Sequence, residues 1–190
     1  EEIRTHISVI GKYFINSPAI PGQNISGRKA ARVVAVDIHY NKLELAKRLG
    51  ATDIINGRDK DLEQAVLEIL GGRQPNIVFE NTGNNNLVED CYRLVDSKGR
   101  LVLVGVPHGN RKPNLNTLDL HFGKVITGTS GGEVNPSEDI SRYSNLLHQR
   151  EIDLAEIITD ITNLHEINDA IKRIRNGSVS GRYLVDLETI

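Results

Sequence analysis

The chain has 190 residues, 38% of them hydrophobic and 25% charged, with a net charge of −2. That is enough apolar material for a real core, in one large domain or one domain with a smaller appended piece. It lacks the basic excess of a duplex-binding protein, and no apolar run reaches the roughly 18–20 residues of a membrane span, so neither nucleic acid nor membrane is expected as a partner.

The first segment is open to two readings. In one, Ile7 to Gly11 is a strand and Gly11 opens a phosphate-binding turn. In the other, Ser17-Pro18-Ala19-Ile20-Pro21-Gly22 is the turn and Gly22 opens a helix. Neither is a clean G-x-G-x-x-G, the spacing that brings backbone amides and a helix N-terminus against a pyrophosphate. An ordinary strand–loop–helix with no phosphate role fits equally well.

From Arg32 the pattern is regular. Arg32 to Asp37 (RVVAVD) is a β-branched run ending in an acid, as in a strand buried on both faces. Lys42 to Leu49 has helical spacing and stops at Gly50; Thr52 to Asn56 is a second short strand. Asp61 to Leu70 is an amphipathic helix with Leu62, Val66, Ile69 and Leu70 on one face, ending at Gly71-Gly72. Asn76 to Glu80 is a strand leading into the turn Asn81-Thr82-Gly83, and Leu87 to Leu94 is a helix. Leu101 to Val106 is the most apolar strand, and Lys124 to Gly128 is another. Strands alternating with helices mean β-α-β units, a parallel sheet and right-handed crossovers. After Gly131-Gly132 the pattern changes, with helices at Pro136 to Leu147 and Leu164 to Ile174 and a last strand at Arg182 to Leu187. The expected fold is therefore α/β: a doubly wound, Rossmann-like parallel sheet over residues 1–130, followed by an α/β tail over 131–190.

In such a sheet, ligands sit at the carboxyl ends of the strands. Asp37 is the leading candidate there. An acid at a strand tip accepts hydrogen bonds from both ribose hydroxyls of an adenosine and repels a 2′-phosphate, so it favours NAD over NADP. Lys42, on the following helix, is within reach of the same ribose. Gly105, before Val106 and Pro107, lets a ligand lie against backbone, and Asn81, Thr82 and Gly83 hold the corresponding place one strand over; turn chemistry alone also accounts for these residues. Arg182 carries a guanidinium able to clamp a phosphate.

Zinc is a separate question. A structural site usually needs four thiolates or histidines and a catalytic one three protein ligands. The single cysteine, Cys91, excludes a four-cysteine site, and reads as a small hydrophobe on a helix. His6, His39, His108, His121, His148 and His165 are scattered, and no pair has H-x-x-x-H spacing. No catalytic acid, base or metal ligand is assigned to this chain. One cysteine points to a reducing, cytoplasmic setting. The absence of methionine marks the chain as a fragment, or as a sequence from which residues have been lost.

Residues Arg32 to Asn56 (RVVAVDIHYNKLELAKRLGATDIIN) resemble the coenzyme segment of medium-chain, zinc-type alcohol dehydrogenases. Ser97 to Pro107 (SKGRLVLVGVP), Leu120 to Gly132 (LHFGKVITGTSGG), Glu166 to Ala170 and Gly177 to Arg182 are similar to later segments of that family. The resemblance spans roughly residues 22–187. It implies a fold that binds NAD(H), with Asp37 and Lys42 at the adenosine ribose. Asn81 and Thr82 would flank the adenine side or the nicotinamide ribose. Val104, Gly105 and Val106 would line the nicotinamide pocket, covered by Thr129 and Ser130, and Arg182 would bind pyrophosphate, with Gly22 in the altered phosphate loop. The family's zinc ligands lie in an N-terminal domain that this sequence does not contain, so zinc is expected only in a full-length enzyme. The resemblance further implies a small alcohol or aldehyde as substrate, and a homo-oligomer joined through the edge strand near Lys124–Gly128. Two alternatives stand beside it: a zinc-free enoyl or quinone reductase relative, and a non-catalytic scaffold or oligomerisation module.

Overall fold

The structure is a computed structural model that describes residues 5–9, 32–59, 61–107, 111–132, 134–149 and 155–188. Six parallel strands form its main sheet: β1 (Thr5–Val9), β2 (Arg32–Asp37), β3 (Asp53–Asn56), β4 (Ile77–Glu80), β5 (Arg100–Leu103) and β6 (Val125–Gly128). They lie in the order β3-β2-β1-β4-β5-β6. The chain winds outward from β1 in one direction and returns to wind outward from β4 in the other. The reversal falls between β1 and β4, where Val9 stands opposite Glu80. That crevice, at the carboxyl ends of the strands, is where an open α/β sheet takes its ligand.

The helices follow from the pleat of the strands. Val34 and Val36 point to one face of β2 and Ala35 to the other, and all three are buried. On the valine face, Val66 and Leu70 of α2 (Leu62–Ile69 and its C-cap) and Val88, Cys91 and Leu94 of α3 (Asn85–Leu94) join Ile55, Val78 and Leu101 in the main core. On the alanine face, Ala46 of α1 (Tyr40–Arg48) packs on Ala35 and Ala51. Helices on both faces make the sheet doubly wound, as expected.

The short helix α4 (Leu118–His121) follows a loop that is fastened to α3. Asn114 N and Arg111 both bond the Glu89 carboxylate, at 2.8 and 3.0 Å, and Tyr92 OH donates to Asn116 O at 2.8 Å. Beneath this loop Lys124 is buried. Its Nζ donates to Tyr92 O at 2.9 Å, faces Asp119 at 3.5 Å and lies 4.8 Å from the centre of the Tyr92 ring. Tyr92 O is one of the last carbonyls of α3, so the ammonium caps the negative end of that helix.

The chain divides into two compact units, Glu1–Ser130 and Gly131–Ile190. The second contains α5 (Pro136–His148), β7 (Ile158–Asn163), α6 (Ile167–Arg175) and β8 (Arg182–Asp186). Strands β7 and β8 form a parallel pair, and the buried residues Thr162, Ala170 and Val179 mark a small core. The pairing is closed by Gly181, whose amide donates to Thr159 Oγ1 at 2.8 Å.

Several boundaries differ from the sequence reading. Strand β5 ends at Leu103 rather than Val106, because the amides of Val104 and Gly105 both turn to Glu80 O, at 2.7 and 3.0 Å. Helix α6 starts at Ile167 rather than Leu164, because Leu164 to Glu166 form the turn out of β7. The strand β7 and the helix α4 were not foreseen at all.

Candidate functional site

The strand tips on either side of the crevice are built differently. On the β2 side, Asp37 is only 6% exposed although it is the last residue of its strand. Its Oδ1 accepts from His39 N at 2.9 Å, which shapes the turn into α1. Its Oδ2 is buried and has no hydrogen-bond partner among the described residues. A buried carboxylate oxygen left unpaired is costly, so such an atom points to a missing donor. Burial raises the Asp37 pKa above its ordinary value; the His39 amide and then the charge of Lys42 pull the other way without cancelling it. Lys42 lies in the first turn of α1, so the helix that follows the acid also brings the cation to it. Tyr40, the first residue of α1, donates its hydroxyl to Asp59, which ties the turn after β2 to the turn after β3. Asp37 O receives Gly57 N at 3.1 Å across the same seam.

On the β4 side, Glu80 is fully buried. Its Oε1 accepts from Thr82 N at 2.7 Å and from the Thr82 hydroxyl, and its Oε2 accepts from Gly83 N at 3.2 Å. Thr82 Oγ1 in turn accepts from Asn84 N at 2.9 Å, and Asn84 caps α3 by accepting from Asn86 N. The tips of β4 and β5 then meet backbone to backbone. Gly83 has φ +73°, and a Cβ there would lie 2.1 Å from Val106 O; a Cβ on Gly105 would lie 2.1 Å from Gly83 N. Gly105 is thus glycine for the sake of its neighbour strand, a constraint that exists before any ligand. Beside it Val104 and Val106 are 47% and 72% exposed, two apolar side chains just beyond the carboxyl end of β5.

The structure therefore brings Asp37, Lys42, Asn81, Thr82, Val104, Gly105 and Val106 to the carboxyl ends of one sheet. Thr129 and Ser130 directly follow β6 at the same end, and Ser130 has φ +43°. Arg182 opens β8 in the second compact unit. Gly22, and both placements of the phosphate turn, lie outside the described residues. Glu80 went unremarked in the sequence because it reads as a strand's last polar residue; only its burial and three donors single it out.

No three His, Cys, Asp or Glu side chains converge as metal ligands among the described residues. The one cysteine, Cys91, is fully buried, and its thiol pKa is pushed far up, first by burial and then by the charge of Glu80. It is held protonated, the wrong form for binding metal. These residues do not fit a zinc site. No helix among the described residues is long and apolar enough to cross a membrane.

Comparison with known proteins agrees with this architecture. The family model described as zinc-binding dehydrogenase matches residues 25–149. Alcohol dehydrogenase 2 of Zea mays is 29% identical over 174 residues, covering 90% of this chain and 45% of the maize protein. Alcohol dehydrogenase 2 of Oryza sativa subsp. japonica is 30% identical over the same span, again 45% of its length. The crystal structure of benzyl alcohol dehydrogenase from Acinetobacter calcoaceticus superposes with a TM-score of 0.75 at 28% identity, covering 83% of this chain and 43% of that one. Galactitol-1-phosphate dehydrogenase from Escherichia coli, at 21% identity and a TM-score of 0.68, covers 97% of the chain and shares the fold. The chain spans a little under half the length of the curated relatives it matches first. With its strand order, its acid-tipped second strand and a family match over most of its length, the chain belongs to the zinc-binding dehydrogenases.

Proposed function

We propose that this chain is the NAD(H)-binding portion of a zinc-type alcohol dehydrogenase-like oxidoreductase, with residues 131–190 contributing to the catalytic domain of that enzyme. The observation that carries the reading is Asp37 Oδ2, a buried, unpartnered acceptor at the tip of β2 beside the point where the strand order reverses. A ribose diol supplies the donors that this oxygen lacks. Lys42 adds a cation on the same side.

Val104 and Val106 provide an apolar wall for the nicotinamide ring, with Asn81 and Thr82 beside its ribose and Thr129 and Ser130 over it. Burying that ring excludes water from its reactive carbon. Bound there, NAD supplies a hydride acceptor for an alcohol and NADH a donor for an aldehyde. The residues named here bind and orient, and no zinc ligand set is found among the described residues. The exposed flank of β6, the last strand of the sheet, is the surface through which two copies would join.

The test is a titration of the chain with NADH and NADPH, followed by fluorescence or calorimetry. The reading expects NADH to bind and NADPH to bind much more weakly. Equal binding, or a preference for NADPH, favours the zinc-free reductase alternative; no binding of either favours a scaffold.

A further inference from the structure

From the two strand tips that meet at Gly83 and Gly105, we infer that Glu80 is a positioning residue for the nicotinamide half of the site. The inference rests on the dinucleotide reading above and names a residue that touches no ligand itself. Glu80 is fully buried, so it acts through what it holds. Its carboxylate gathers three donors from its own turn: Thr82 N, the Thr82 hydroxyl and Gly83 N. Its main-chain carbonyl receives two donors from the neighbouring strand: Val104 N at 2.7 Å and Gly105 N at 3.0 Å. One residue thus grips both walls, Asn81–Gly83 by its side chain and Val104–Val106 by its backbone. The walls are then locked together, since there is no room for a Cβ on either Gly83 or Gly105.

The carboxylate is the right group for this task. It has two acceptor oxygens and no proton to misplace, and all three of its partners are donors. Glutamine in the same place offers one acceptor and an NH2 group. Whichever way it lies, a donor faces a donor, at Gly83 N or at the Thr82 pair. The turn must move, and Val106 O and Gly105 move with it. The adenosine side is organised by Asp37 and α1, on the far side of β1 from this hub.

The experiment compares NADH with ADP, which keeps the adenosine ribose and the phosphates but lacks the nicotinamide half. Glu80→Gln in the full chain should weaken NADH about tenfold, the size of one ligand hydrogen bond lost when the displaced turn no longer meets the nicotinamide half. ADP should stay within about twofold of wild type, as expected for a distant, uncoupled site. Parallel weakening of both ligands, or no change in either, overturns the inference. Asp37→Ala serves as the reference, because it should weaken both ligands. If it leaves both unchanged, the dinucleotide reading fails independently of Glu80. Amide hydrogen exchange on the wild-type chain covers the case in which Glu80→Gln does not fold. Thr82 and Gly83 amides should be protected with no ligand present, and exchange at open-loop rates would refute the clamp.

Discussion

Asp37→Ala is the perturbation whose size follows most directly from the structure. Asp37 Oδ1 already accepts the His39 amide, whereas Oδ2 has its full accepting capacity free. A ribose diol would therefore add at least one strong bond to an ionised acceptor. Hydrogen bonds to charged groups contribute about 1.5–3 kcal/mol. The carboxylate is already out of water in the free protein, so binding adds little further desolvation. Removing it should weaken NADH by about 2–3 kcal/mol, or roughly 30- to 150-fold in Kd. NADPH should respond in the opposite sense, because the substitution removes the negative charge that faces its 2′-phosphate. The ratio of the two Kd values, measured by calorimetry on folded protein, is the quantity to read. A ratio unchanged from wild type would refute the assignment of Asp37 to the ribose.

The same carboxylate makes binding depend on pH in a stated direction. Burial raises its pKa above 3.8, so it protonates at a higher pH in the folded chain than in the unfolded one. Above that raised value the ionised group opposes folding; stability from this source grows as pH falls through the window between the raised value and 3.8. Ligand binding runs the other way, since the ribose hydroxyls need an ionised acceptor. NADH affinity should fall as pH drops through the same window, while the free protein gains stability from the group. Both trends should vanish in Asp37→Ala.

Three further outcomes are expected. Lys124→Met keeps the volume of the side chain but leaves Tyr92 O uncapped, and should lower unfolding free energy by about 1–3 kcal/mol in a urea titration. Gly83→Ala puts a Cβ 2.1 Å from Val106 O at a residue with φ +73°, and should cost more than the ~1 kcal/mol of left-handed strain alone, with loss of NADH binding. If copies join along the outer edge of β6, Val125→Asp, which sets like charges along that seam, should shift sedimentation toward monomer; an unchanged profile would place any interface elsewhere.

How far the sequence could be read follows from where the determining contacts lie. Arg32 to Asp37 was legible because β-branched residues buried on both faces leave no other good solution, and β2 runs over those same residues. From Arg32 to Gly128 the order of the helices and strands, α4 apart, was legible for the same local reason. Helix α4 was not: a four-residue helix has no periodicity of its own, and its place depends on Glu89, Tyr92 and Lys124, which lie remote from it or beyond its end. Strand β7 (ITDITN) alternates weakly, is largely exposed, and is defined by pairing with β8 some twenty residues on. The early end of β5 was hidden because Leu101 to Val106 is uniformly apolar. What stops the strand is a carbonyl on Glu80, and no property of the residues that leave.

Asp37 and Glu80 show most clearly what three dimensions add. In the sequence they are twins: RVVAVD and NIVFE are both short apolar strands that end in an acid. Both acids are buried at strand tips flanking β1. They part only in how their oxygens are occupied. Glu80 is saturated by its own chain, with both carboxylate oxygens engaged by the turn that follows it. Asp37 gives one oxygen to its turn and keeps the other unpartnered. A protein gains nothing in stability from that second arrangement; the raised pKa is the sign of its cost. An acid whose needs are met inside the fold serves the fold, and one whose need is left open serves whatever meets it. By that criterion the proposed adenosine end of the site rests on an acceptor left unpartnered, and the proposed nicotinamide end on a scaffold whose acceptors are all engaged.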